Sequence, residues 1–155
     1  MKSRIAFSGV IAGAVVLLAS LAWAAPRDSK PTAQAVSAFP GSLVNATYVY
    51  VTSYDGDEFN VNLLPEDRKA IVTVQNAMQK WGKFTLVYEP RQADIVLMVT
   101  SRPSEDILAV YDAHGWPRNQ YLWRMMGAGG LQRGEAPLVS NLETAFTLAT
   151  THHDH

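Results

Sequence analysis

The chain contains no cysteine. That absence removes disulfides, thiolate metal sites and a cysteine nucleophile, and it leaves no thiol for a lipid anchor. A chain of 155 residues without disulfides must be held by its hydrophobic core, and its length suits one domain rather than two. An excess of positive charge is missing as well: 13 basic side chains stand against 14 acidic ones. A protein that grips phosphates needs a basic face, so nucleic acid is excluded as an expected partner, and so is a polybasic membrane contact. No glycine group follows a strand and opens a helix at the spacing of a phosphate loop or dinucleotide fingerprint. No serine stands in a Gly-x-Ser-x-Gly elbow.

The first residues are an address. Lys2 and Arg4 precede a nearly unbroken apolar run from Ile5 to Leu21, and Ala22-Trp23-Ala24 offers small residues at the −3 and −1 positions. This pattern predicts a signal peptide over residues 1–24 and a periplasmic or secreted protein with no membrane anchor after cleavage. The alternative is an uncleaved anchor, since the run is near the length of a spanning helix. Residues 25–43, rich in Pro, Ala, Ser and Thr, read as a flexible segment leading to a single domain over 44–150. Without Lys2 and Arg4 the basic count falls to 11 against 14, a formal charge of −3.

Within the domain the stretch from Leu64 to Thr100 organises the rest. Pro65 fits the first turn of a helix, Glu66 and Asp67 place negative charge at its positive end, and Ile71, Val74, Met78 and Trp81 recur at helical spacing. Gly82 stands where a left-handed residue ends a helix. The pattern predicts a helix over 65–81 and strands over 48–53, 84–89, 94–100, 106–112 and 121–125, then a second helix over 136–149. Glu89-Pro90-Arg91-Gln92 reads as a tight turn joining an antiparallel pair, and the four glycines of 127–134 read as a mobile segment. The expected fold is α+β, a small layered domain with a mostly antiparallel sheet and two helices on it.

The run from Ala70 to Val99, with its K-W-G helix end, E-P turn and A-D-I-V strand start, resembles an uncharacterised family of small exported bacterial proteins. Leu108–Ala113 (LAVYDA) and Leu122–Arg124 (LWR) fit the same pattern. The arrangement is also similar to the N-terminal α/β domain of TolB and related envelope-assembly domains. The resemblance implies an exported α/β module of the cell envelope, and it transfers no catalytic residue.

Candidate sites are few. Trp116, Arg118, Tyr121 and Arg124, with Trp123, Met125 and Met126 nearby, have the composition of an interface core and form the expected binding residues. The alternative for Trp123 and Tyr121 is a place in the core. Asp112 and His114 lie two apart at a strand end, where a carboxylate and an imidazole can converge on a metal or a water, or simply close a turn. The tail His152-His153-Asp154-His155 has metal-chelating composition but sits at the chain end, where nothing orients it. Asp55, Asp57 and Asn60 miss the offsets of a calcium loop and read as a solvated acidic loop. The leading expectation is an exported, non-enzymatic binding or envelope-associated protein with no cofactor and no metal, meeting an envelope protein or glycan. The alternatives are a metal-assisted hydrolase using Asp112 and His114, or a metal-handling protein working through the tail.

Overall fold

Pro65 opens the helix around which the chain packs. A computed structural model of the protein describes residues 38–131 and 136–153. The expected signal peptide, the expected flexible segment up to residue 37, residues 132–135 and the last two tail residues lie outside the described residues. Helix α1 spans Pro65–Trp81 with Glu66 and Asp67 in its first turn, and Gly82 ends it at φ 71° with its N–H on the Met78 carbonyl. A residue carrying Cβ would be strained at that φ, so the helix stops where the sequence puts glycine. Ala70, Ile71, Val74 and Met78 are fully buried along one stripe. Each of the larger side chains contributes about 1.5–3 kcal/mol relative to exposure.

The stripe covers one face of a five-stranded sheet in the order β2-β1-β3-β4-β5. The strands are β1 Tyr48–Ser53, β2 Thr85–Val87, β3 Ile95–Ser101, β4 Asp106–Asp112 and β5 Trp123–Gly127, and helix α2 runs Pro137–His153. The domain is therefore α+β, with both helices on one side of a sheet. Its longest ladder is the antiparallel β3–β4 pair, continued antiparallel by β4–β5.

The turn at Glu89–Gln92 does not join an antiparallel pair. β2 and β3 do not touch as neighbours: both run parallel to β1, which lies between them. β1 is buried on both faces from Val49 to Ser53, its buried residues including Thr52 and Ser53 as well as Val49 and Val51. Its first residues recruit both partners. Thr85 donates its N–H to the Thr47 carbonyl at 2.8 Å, and Asp94 donates to the Tyr48 carbonyl at 2.9 Å. β2 is only three residues long, so the chain turns through a 3-10 turn at Pro90–Gln92 and returns on the far side of β1.

The core reaches beyond the boundary expected at residue 44. Phe39 and Leu43 are buried, and Phe39 meets Phe146 of α2 edge-on at 5.2 Å. Phe146 also contacts Phe84 and Trp81 at 5.4 and 5.6 Å, which locks α2 to the end of α1. The last strand begins two residues later than expected, so Trp123 and Met125 face the helices and are buried. Helix α2 continues past residue 149 to His153, so the backbone at 151–153 extends the helix rather than forming a separate tail.

The helix side of the sheet carries a buried polar link. Asp67, in the first turn of α1, is 1% exposed. Its Oδ1 accepts the Ser101 N–H at 2.7 Å, and the Arg102 guanidinium lies 2.9 Å from both its oxygens. Ser101 Oγ donates to Asp106 Oδ1 at 2.7 Å, and Asp106 Oδ2 accepts the Leu131 N–H at 3.0 Å. The described part of the glycine-rich segment is thereby pinned rather than mobile: Leu131 is fully buried, and a Cβ on Gly130 would meet Leu138 Cγ at 2.5 Å.

Candidate binding face

Alternation along the strands sends Ile95, Leu97 and Val99 toward the helices and Val96, Met98 and Thr100 to the other side. The other side is free of helices among the described residues. On it Tyr50 and Val96 pack with Ala93, and Val87, Tyr111, Ala113 and Trp116 lie against them. Thr52, Met98, Ala109 and Arg124 stand in one cross-strand row.

The loop between β4 and β5 folds onto this face. Ala113 donates its N–H to the Asp94 carbonyl at 3.0 Å, and Asn119 Nδ2 donates to the Asp112 carbonyl at 2.8 Å. The Trp116–Pro117 bond is cis. These contacts lay Trp116 edge-on against Tyr111 at 4.8 Å. Tyr111 meets Tyr121 at 6.4 Å, and the Arg124 guanidinium stands 5.7 Å over the Tyr121 ring. Burial raises the Tyr111 phenol above its ordinary value. The Tyr111 hydroxyl points at Met98 Sδ, 3.9 Å away.

Three of the four expected binding residues thus share one continuous cluster, with Trp116 half-buried and Tyr121 and Arg124 exposed. Arg118 is exposed in the same loop. The wider group separates by strand alternation: Trp123 and Met125 belong to the core, while Arg124 and Met126 face outward. Tyr111 joins the cluster although its only sequence signal is an aromatic at the end of the apolar run ILAVY. Trp116 also walls a groove of about 500 Å³, closed on one side by Pro90, Arg91 and Ala93 and on the other by Ala113, His114 and Pro117. No spacing in the sequence links Arg91 to His114. The crossing of the chain over β1 brings them together.

Asp112 and His114 do make contact. His114 donates its backbone N–H to Asp112 Oδ1 at 2.9 Å, and its Nδ1 lies 3.0 Å from the same oxygen. These hydrogen bonds, the backbone one first, hold the Asp112 carboxyl below the usual range. The carboxylate therefore closes the turn after β4, and the imidazole is 83% exposed. Among the described residues no three His, Asp or Glu side chains gather to hold a metal. Asp94, at the start of β3, accepts the Thr47 and Tyr48 N–H groups on one carboxylate oxygen at 2.8 and 2.9 Å. Those two bonds hold its carboxyl below the usual range.

The acidic loop before α1 is closed on itself. Asp57 accepts from the Phe59 N–H and the Tyr50 hydroxyl, Asn60 accepts from Asn62, and Arg68 of α1 donates to the Glu58 and Asn60 carbonyls. A second groove, of about 510 Å³, lies between the helices beside Thr73, Lys80, Ser140 and Glu143. Among the described residues no helix is long and apolar enough to cross a membrane.

No family model matches the chain, and no curated protein sequence matches it.

Proposed function

We propose that this protein is an exported, non-catalytic binding module of the cell envelope, and that its contact surface is the helix-free sheet face around Trp116. The observation that carries the reading is the run of contacts Trp116–Tyr111–Tyr121–Arg124 on that face. Trp, Tyr and Arg are the residues that dominate binding energy when they cluster, and here two of them are exposed although the core has other aromatics to fill it. The signal-peptide pattern and the resemblance to exported envelope modules of the TolB type support the same reading.

The test compares the full chain with a Tyr121→Ala/Arg124→Ala variant, each expressed in its own host and recovered from the envelope fraction. The expected result is a stoichiometric envelope component held by the native protein and lost from the variant at unchanged melting temperature. Equal recovery with both proteins would overturn the assignment. The competing reading, a hydrolase using Asp112 and His114, is favoured by one observation, the 3.0 Å contact between them. Asp112→Asn, at a carboxylate outside the groove lining that still offers an oxygen to the His114 N–H, separates the two: a binding module keeps its phenotype, and a hydrolase loses it.

A further inference from the structure

We propose that the face around Trp116 binds an acidic oligosaccharide, a sugar chain carrying carboxylates; this rests on the binding-module reading and names its ligand class. Arg124 stands over Tyr121 at one end of the aromatic run. At the other end Trp116 walls the groove that Arg91 and His114 also line. The surface is thus an aromatic track with a cationic group at each end. The chain as a whole carries more acidic than basic side chains, and Asp112 and Asp94 stand beside His114, so the guanidinium groups of Arg91 and Arg124 are separate cations rather than part of a basic surface. A long polyanion running over the rest of the surface meets the acidic side chains that outnumber the basic ones, whereas a short chain of acidic sugars spans only the track and meets cations where they stand.

The position of the track decides between a sugar and a peptide. Tyr111 belongs to β4, an interior strand whose backbone is paired to β3 on one side and β5 on the other. An extended peptide gains affinity by pairing its main chain with a free sheet edge, and the middle of this face offers none. A ligand here must be held by side-chain planes and side-chain donors. Exposed ring surface packs against the apolar C–H face of a sugar ring, and a guanidinium receives a carboxylate through two parallel N–H bonds.

The test titrates the purified full chain with oligogalacturonate, following tryptophan fluorescence and heat, with maltoheptaose as the neutral sugar and polyglutamate as the acidic peptide. Saturable binding to oligogalacturonate is expected, at least tenfold tighter than to maltoheptaose. Arg124→Gln and Arg91→Gln should each weaken it about tenfold or more without moving the melting temperature, because both side chains are exposed. Trp116→Phe, which keeps a ring against Tyr111, guards against loss of folding in Trp116→Ala. Equal affinity for maltoheptaose, or no binding to oligogalacturonate, overturns the proposal. Binding of polyglutamate in place of oligogalacturonate overturns the ligand class. The binding-module reading fails separately, if the envelope component is retained by Tyr121→Ala/Arg124→Ala.

Discussion

Replacing Asp67 by alanine removes the acceptor that ties the start of α1 to the end of β3. The carboxylate is 1% exposed and holds the Ser101 N–H at 2.7 Å, in a place where water has no access. Stranding that donor costs about 1–3 kcal/mol. Arg102 loses its partner too, but its side chain is 41% exposed and can turn to solvent, so the full penalty of a broken buried pair, about 3–5 kcal/mol, does not apply. The lost charge in the first helical turn adds about 0.3–1 kcal/mol. The sum is about 1–4 kcal/mol. For a domain slightly over one hundred residues this lowers the melting temperature by roughly 5–16 °C, at about 4 °C per kcal/mol.

Asp67→Asn keeps an oxygen for Ser101 and loses only the charge, so it should lose only about 0.3–1 kcal/mol. Urea unfolding followed by circular dichroism measures both, with unchanged m-values expected because the folded surface is the same. A loss under about 1 kcal/mol for Asp67→Ala would show that the link is not a tie between helix and sheet. Asn and Ala variants of equal stability would show that charge, and not the acceptor, matters.

Two more outcomes follow from the same geometry. Asp94 and Asp112 have carboxyls held below the usual range by the N–H groups they accept. Their contribution is therefore complete above the ordinary carboxylate pKa of about 4 and is lost as the pH falls through the depressed folded values. Asp94→Ala should accordingly be less stable than the native protein at neutral pH, with the gap narrowing in acid; thermal melts from pH 7 down to about 2.5 read this, and a constant gap refutes it. Gly130→Ala should destabilise by about 1–3 kcal/mol, since the new methyl meets Leu138 Cγ at 2.5 Å. The double variant Gly130→Ala/Leu138→Ala should show a smaller loss than the two singles added together, and simple additivity would place the clash elsewhere.

Local signals located the elements well. Residues 48–53, 65–81 and 106–112 form the strand, helix and strand expected of them, because period-two and period-3.6 patterns, a proline at N1 and a glycine after the last turn all act within a few residues. The pairing of β2 and β3 was not legible in the same way. A four-residue turn between two apolar segments is compatible with a hairpin, and also with a chain that steps across a third strand. The choice depends on β1, more than thirty residues earlier, taking a neighbour on each side.

The binding face divides along the same line. The sequence by itself supplied its materials: Trp116, Arg118, Tyr121 and Arg124 lie within nine residues, and strand alternation separates Arg124 from Trp123. Nothing local marks Tyr111 as their partner, or Arg91 as the far wall of a groove containing His114. The role of Asp67 was equally hidden. In the sequence it is one of two acids suited to a helix start, and only the docking of α1 on β3 buries it against Ser101 while Glu66 remains exposed. Short-range patterning determined which segments are helix and strand, since backbone conformation answers to neighbours in the chain. The tertiary structure decided which side chains meet, since burial and register are properties of segments far apart in sequence that share one core.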